Sequence, residues 1–173
     1  NLNGVWILRQ QGGTEEYQAK VPGSVIAALL DAQAIPDPYD RMNEYEVRDL
    51  FWKDYIFWRE FDGEKELLGE ETVELVCEGL DTLAEIRLNG EKIFFANNMH
   101  RTWRIPVKEY LNPGKNRIEI RFCSTLYYMN TYEYREGRRI RYATAGAIQG
   151  NHLLRKAHSM FGWDWGPRLP DAG

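Results

Sequence analysis

The sequence has little of what several common functions require. Only two of its 173 residues are cysteine, and no C-x-x-C pair occurs, so neither a zinc site nor a disulfide framework is indicated. No run of about 18 apolar residues is present, so no transmembrane helix is predicted. The 22 basic residues are outnumbered by 26 acidic ones, which gives a net charge of −4. This balance disfavours partnership with nucleic acid or an anionic membrane, because both need a basic field.

The patterns that mark a self-contained enzyme are also missing. His100, His152 and His158 are the only histidines, and none has the spacing of the H-E-x-x-H metal motif. No G-x-S-x-G nucleophile elbow occurs. No sequence pattern places two carboxylates about 5 Å apart, as a retaining glycosidase needs. We therefore predict no catalytic residue, no metal site and no cofactor in this chain.

The two cysteines, Cys77 and Cys123, are 46 positions apart. In alternating strands, Cys77 is in phase with Val73 and Leu75, whereas Cys123 is out of phase with Ile118. Because a bridge needs converging side chains, this difference favours two buried thiols over a disulfide.

Aromatic residues are abundant at 13% of the chain, which suits a β-sheet or a carbohydrate-facing surface. Alternation of apolar and polar residues predicts strands at 4–9, 55–61, 72–78, 83–88, 92–96 and 117–122. In the strand at 83–88, Glu85 and Arg87 are expected to face outward. Asn89-Gly90 favours a type I′ turn and thus a hairpin. The pattern indicates an all-β fold, an antiparallel β-sandwich, as one domain spanning residues 1–173.

Helical signals are few and short. Ser24 is a candidate N-cap for a helix over 25–33, and Asn43 for a turn or two through Leu50. Residues 127–136 could form a helix or an aromatic loop. Strands and helices do not alternate persistently, so neither a (β/α)₈ barrel nor a doubly wound sheet is predicted.

Four arginines between Arg135 and Arg141 are interleaved with Tyr134 and Tyr142. Such interleaving can bind nucleic acid, but acidic neighbours in an acidic chain favour a solvated or interdomain face. The role of the stretch 127–142 stays unassigned.

The segment Met160-Phe-Gly-Trp-Asp-Trp-Gly-Pro167 carries the clearest candidate site. Flat indole faces match the apolar faces of a pyranose, and an Asp between them can accept hydrogen bonds from neighbouring hydroxyls. The flanking Gly162 and Gly166 let the backbone bend tightly, so that the side chains project from a loop. An aromatic corner of the core is an equally open interpretation of the same residues.

Phe161-Gly-Trp-Asp-Trp-Gly-Pro167 also resembles the hallmark of the β-mannosidases of glycoside hydrolase family 2. Further segments agree in order with this family: Val21-Pro-Gly-Ser24, Ile35-Pro-Asp-Pro-Tyr39, Asn43-Glu44, Cys77-Glu-Gly-Leu-Asp-Thr82, Leu88-Asn-Gly90, Asn98-Met99 and Arg155-Lys-Ala157. The resemblance covers nearly the whole chain.

This resemblance implies the N-terminal sugar-binding domain of a longer glycosidase, a jelly-roll sandwich related to galactose-binding modules. It implies that the catalytic acid and nucleophile belong to a separate (β/α)₈ barrel, absent from this chain, on which the domain packs. Asn43-Glu44 imitates an Asn-Glu pair of that barrel and is not catalytic. Asp164, Trp163 and Trp165 are implied to bind the terminal mannose of a β-mannoside.

Three functions remain open on the sequence. The chain is part of a retaining exo-β-mannosidase, a free-standing carbohydrate-binding module, or the same domain of a family 2 enzyme for another β-glycoside, such as a galactoside or glucuronide. The Trp-Asp-Trp string favours mannose over the other sugars. We expect a cytoplasmic location.

Overall fold

Eight β-strands form two antiparallel sheets in the computed structural model, which describes the backbone of residues 1–136 and 148–173 and the side chains of 1–132 and 148–173. The strands are β1 (Gly4–Gln10), β2 (Glu16–Val21), β3 (Tyr55–Gly63), β4 (Glu74–Cys77), β5 (Ala84–Leu88), β6 (Glu91–Ala96), β7 (Trp103–Pro106) and β8 (Gly114–Phe122). The α-helices are α1 (Val25–Asp31), α2 (Asn43–Asp49), α3 (Lys65–Gly69) and α4 (Thr125–Glu136). Single 3₁₀ turns lie at Leu50–Trp52, Lys108–Tyr110, Asn151–Leu153 and His158–Phe161.

The larger sheet has six strands in the order β2-β1-β3-β8-β5-β6, and the smaller sheet pairs β4 with β7. The pairing is antiparallel throughout. The predicted antiparallel β-sandwich is therefore confirmed. The sequence patterns missed β2 and β7. Edge strand β2 buries only Ala19, and β7 is four residues long, so neither shows a clear alternation.

The main core lies between the two sheets. Phe57, Ile86 and Ile118 of the larger sheet belong to the same buried cluster as Ile105 of the smaller one, and Leu75 packs against it. A second cluster collects side chains from α2, the 3₁₀ turn after it, the residue before β5, α4 and the segment that follows α4: Val47, Phe51, Leu83, Leu126, Met129, Leu154, Phe161 and Leu169. This second cluster matters for function because it holds the residues around the Trp-Asp-Trp string.

The predicted hairpin is confirmed, and a buried amide fixes it. Asn89 and Gly90 have φ angles of 53° and 88°, as a type I′ turn requires. Asn116 is 2% exposed, and its Oδ1 accepts hydrogen bonds from Asn89 Nδ2 at 2.8 Å and from Asn112 N–H at 2.7 Å. Asn116 therefore joins the turn between β5 and β6 to the turn before β8.

The predicted helices form, with differences at their ends. The first, predicted over 25–33, ends at Asp31. Ser24 caps α1, because its Oγ accepts the Ala27 N–H at 3.3 Å. Helix α2 begins at Asn43, so Asn43 is not its cap; its amide donates to the Asp37 carbonyl at 2.9 Å instead. The stretch left open between helix and loop is helical as far as Glu136.

Glu85 differs from the expected exposed residue. It faces away from the core, as alternation predicts, but only 8% of its side chain is exposed. Its carboxylate lies 2.9 Å from Arg87 Nε, 2.9 Å from Lys92 Nζ and 3.2 Å from Arg121 Nη2. These long side chains cover it. The Lys92 hydrogen bond above all, with those of Arg87 and the charge of Arg121, lowers the pKa of Glu85 despite the opposing effect of burial.

Both cysteines are free thiols, as predicted, but they are half-buried rather than buried. Burial raises the pKa of Cys77 to about 11 and also raises the pKa of Cys123. Neither thiol is therefore activated as a nucleophile at neutral pH.

We predict that Glu85→Gln lowers the free energy of unfolding by about 1 kcal/mol at pH 7, because partly exposed cations limit the strength of each ion pair. A carboxyl whose pKa is lowered by folding stabilises the fold above its unfolded pKa of about 4.3 and loses that effect as pH falls through its folded pKa. The difference from the unmodified protein should thus be constant above about pH 5.5 and shrink below about pH 4. Urea unfolding between pH 3 and pH 8 measures it.

Glu119→Gln is the matched control on the same sheet face, since Glu119 pairs with a single cation among the described residues, Arg117, and is more exposed. Glu119→Gln should lower the free energy of unfolding by less than Glu85→Gln does. A Glu85→Gln difference that stays constant down to pH 3 would contradict the assignment of stability to the ionised carboxylate.

Candidate functional site

The Trp-Asp-Trp string lies in a loop whose two sides are buried in the second cluster. We call residues 157–170 the Trp-Asp-Trp loop. On its first side, Phe161 is 0% exposed, and its carbonyl accepts the Ile148 N–H at 2.8 Å. On its returning side, Leu169 is 8% exposed and Pro170 is buried. The loop is thus anchored close to its ends, and its tip projects outward.

A tight turn forms the tip. Gly162 has a φ of 121°, which L side chains rarely adopt, so this position favours glycine. Trp163 and Gly166 form a short antiparallel bridge, in which Gly166 N–H donates to the Trp163 carbonyl at 3.3 Å. Gly166 does not have a positive φ, so only the first of the two predicted glycines is needed for the bend.

The two indoles at the tip stack on each other. Their ring centroids are 5.1 Å apart and their planes differ by 11°. A sugar held between two rings needs two van der Waals contacts of about 3.5–4 Å each, so the rings would have to be at least about 7 Å apart. The two indoles therefore leave no space for a sugar between them, and a sugar could pack only against an outer face of the pair. Trp165, which is 80% exposed, offers more surface than Trp163, which is 54% exposed.

Asp164 lies between the two indoles in sequence and is exposed. Within the part of the chain that the structure describes, its carboxylate has no hydrogen-bond or ion-pair partner. None of the described residues therefore occupies its acceptor sites. The structure brings all three predicted site residues together at one exposed tip, and the alternative of an aromatic corner of the core does not apply to Trp163 and Trp165.

Two clefts between described residues lie away from this tip. One, of about 540 Å³, opens between the sheets beside Trp6, Cys77 and Asp81. Another, of about 420 Å³, lies between Tyr17, Tyr55 and the end of α1. Neither includes the tip of the Trp-Asp-Trp loop, which is a projection and not a cavity. A sugar bound at the tip needs a second surface to enclose it.

A buried charged network at the base of the loop was not predicted from the sequence. The Lys156 side chain is 0% exposed and its Nζ lies 2.6 Å from Asp81 Oδ2. It also donates to the carbonyl oxygen of Asp171. The Asp171 carboxylate accepts the N–H of Ile26 at 3.1 Å and of Ala172 at 2.8 Å. Burial raises the pKa of Asp171 and lowers that of Lys156.

The periodicity of apolar residues does not predict this network, because lysine is among the residues least often fully buried. The usable signal was the order of short motifs. Gly79-Leu-Asp-Thr82 and Arg155-Lys-Ala157 each contribute one member of the Asp81–Lys156 pair.

Other predicted features stay outside the site. Glu44 lies in the first turn of α2, as a residue of this domain's own helix. The arginine cluster falls largely on residues 137–147, outside the described residues, so its role stays a prediction. Among the described residues, no group of His, Cys, Asp and Glu is arranged to hold a metal ion. No described helix is long and apolar enough to cross a membrane.

A two-sheet antiparallel sandwich with short helices is the architecture of galactose-binding-like domains. The profile described as "Glycosyl hydrolase 2 galactose-binding domain-like" matches residues 6–173. The chain belongs to this family, as the resemblance implied.

Several β-mannosidases are similar to the chain. "Beta-mannosidase" of Capra hircus is 31% identical over 185 residues, a match that covers 100% of this chain and 20% of the goat protein. "Beta-mannosidase A" of Aspergillus aculeatus is 30% identical and is matched over 18% of its length. The crystal structure of a β-D-mannosidase from Dictyoglomus thermophilum superposes with a TM-score of 0.91 at 36% identity, over 99% of this chain and 21% of that chain.

The chain thus spans about a fifth of the length of the relatives it matches. An exo-chitosanase of Amycolatopsis orientalis shares the fold alone, with a TM-score of 0.61 at 14% identity.

We predict that Asp164→Ala leaves the free energy of unfolding within about 0.5 kcal/mol of the unmodified value, because the side chain is exposed and has no hydrogen-bond or ion-pair partner among the described residues. Phe161→Ala, in the same loop, should instead cost about 3–5 kcal/mol because Phe161 is fully buried. Urea unfolding of both variants measures the contrast. A large loss for Asp164→Ala would mean that the carboxylate holds the turn together.

Proposed function

We propose that this chain is the sugar-binding, non-catalytic domain of a β-mannosidase that removes terminal non-reducing β-D-mannose residues with retention of configuration. The full-length similarity to proteins named β-mannosidase, with a TM-score of 0.91 to one of them, carries this proposal. The likenesses to enzymes for other sugars lie at 14–20% identity and support a common fold only.

The loop tip supplies two kinds of contact to a sugar. The exposed outer face of Trp165 can pack against the C–H face of a pyranose, and Trp163 stacks behind it and limits its motion. The Asp164 carboxylate can accept hydrogen bonds from two neighbouring hydroxyls, and such charge-assisted bonds are stronger than neutral ones. Together these contacts orient one sugar ring at the tip.

The chemical step needs groups from another domain. A retaining glycosidase uses two carboxylates about 5–5.5 Å apart, one as acid/base and one as nucleophile. In the described part of the chain, the half-buried Asp81 and Asp171 already accept hydrogen bonds from protein donors, and neither belongs to the tip of the loop. We infer that a separate catalytic barrel supplies both carboxylates, and that the Trp-Asp-Trp loop reaches its mouth and completes the subsite for the terminal mannose.

We predict that the isolated 173-residue chain releases no chromophore from an aryl β-mannoside, because it lacks both catalytic carboxylates. The full-length protein should release it under the same conditions. Turnover by the purified chain that a point substitution within it abolishes would contradict this division of roles.

In the full-length protein, Asp164→Ala should lower kcat/KM for an aryl β-mannoside by about 10²-fold or more. Loss of a charge-assisted acceptor in an enclosed subsite leaves sugar hydroxyls unpaired, and each factor of ten corresponds to about 1.4 kcal/mol. Contacts that strengthen as the ring distorts count more in the transition state than in ground-state binding. Steady-state kinetics with the purified variant measures the effect.

Matched controls come from exposed residues away from the loop. Asp62→Ala removes an exposed carboxylate on β3, and Trp52→Ala removes a half-exposed indole, to be compared with Trp165→Ala. Both controls should keep kcat/KM. An Asp164→Ala enzyme with unchanged kcat/KM would show that the tip does not contact the reacting sugar.

A further inference from the structure

We propose that Lys156 is a positioning residue that joins the two ends of the Trp-Asp-Trp loop and so holds its tip in the sugar-binding arrangement. The role assigned to the tip rests on the proposed function, whereas the joining of the loop ends does not.

Lys156 directly precedes the loop and Asp171 directly follows it. The ammonium group of Lys156 donates to the carbonyl oxygen of Asp171, so a single side chain closes the segment between them. The fourteen enclosed residues have the size of an Ω-loop, a surface loop with neighbouring ends that is packed by its own side chains. Phe161 and Leu169 supply that packing.

The closed base is also fixed to the rest of the sandwich. Lys156 Nζ pairs with Asp81 at 2.6 Å, shortly before β5 begins. Asp81 in turn exchanges two backbone hydrogen bonds with Gly173, at 2.9 and 3.2 Å. On the other side, the Ala172 carbonyl accepts the N–H of Val25 at 2.8 Å, at the start of α1. The loop base therefore cannot shift without breaking contacts to both β5 and α1.

The ammonium group itself is needed, and not just the volume of the side chain. An apolar side chain of similar length could fill the site, but it could not donate to the Asp171 carbonyl. Burying a charge costs free energy unless it is paired and hydrogen-bonded, and a pair replaced as a whole by apolar residues is often neutral for stability. Loop closure and overall stability can therefore be separated by mutation.

The test compares three variants of the full-length protein. Lys156→Met removes the donor, and the double variant Lys156→Met with Asp81→Leu also removes the carboxylate that would be left unpaired. Leu88→Ala is the control. Leu88 is 2% exposed and lies at the opposite end of β5, so its substitution should lower the free energy of unfolding without changing the loop. Hydrogen exchange by mass spectrometry is measured for residues 157–170 and for Gly114–Phe122, together with kcat and KM for an aryl β-mannoside.

We expect Lys156→Met and the double variant to lose nearly all exchange protection at 157–170, with Gly114–Phe122 unchanged. A loop that is ordered only part of the time reduces apparent affinity by the ordered fraction. With the loop ordered about one tenth of the time, both variants should raise KM about tenfold and keep kcat. Leu88→Ala should leave KM unchanged, since a partly unfolded population lowers only the amount of active enzyme.

Two results would overturn the proposal. One is a folded double variant whose loop exchange and KM equal those of the unmodified protein. The other is simultaneous loss of protection at 157–170 and at Gly114–Phe122 in both Lys156 variants, which would make Lys156 a residue of the whole fold. A full-length protein without β-mannosidase activity would instead refute the proposed function, and the exchange data alone would then decide the role of Lys156.

Discussion

The buried ammonium group of Lys156 connects three parts of the chain that are far apart in sequence. It joins the segment before the Trp-Asp-Trp loop to the segment after it, and it pairs with Asp81 at the entrance to β5. Desolvation lowers the pKa of Lys156, and the neighbouring Asp81 and Asp171 oppose that effect. Burying this charge is unfavourable in itself. It occurs at the base of a loop that projects from the sandwich and is not paired with either sheet.

Charged groups are partnered differently on the outer face of the larger sheet and at the base of the loop. Around Glu85, three half-exposed cations cover one carboxylate on the outer face of the larger sheet, and every member can still reach water. At the loop base, Lys156 is fully enclosed and its partners must be supplied by the protein. The first arrangement tolerates change because water can replace a lost partner. The second does not, since a lost partner leaves a buried group unsatisfied.

Sequence reasoning predicted what depends on local periodicity and turn chemistry. The alternation in β5 and β8, the Asn89-Gly90 turn and the Ser24 cap each follow from one short segment, and all are present. It missed what depends on distant partners. Edge strand β2 has too few buried residues to show a pattern, Glu85 is covered by side chains from three strands, and Lys156 is enclosed by residues 75 and 15 positions away. Trp163, Asp164 and Trp165 lie together at one exposed tip, as the loop prediction expected, but the stacking of Trp163 on Trp165 was not predicted, because sequence order does not fix ring orientation.

The network also explains why several short motifs of the resemblance belong together. Val21-Pro-Gly-Ser24 leads into α1, whose first N–H groups bind Ala172 and Asp171. Gly79-Leu-Asp-Thr82 supplies Asp81, and Arg155-Lys-Ala157 supplies Lys156. None of these segments lies at the exposed tip. Their common task is to hold the base from which Phe161-Gly-Trp-Asp-Trp-Gly-Pro167 projects. A motif that lies beside an exposed loop can thus support the loop without itself contacting a ligand.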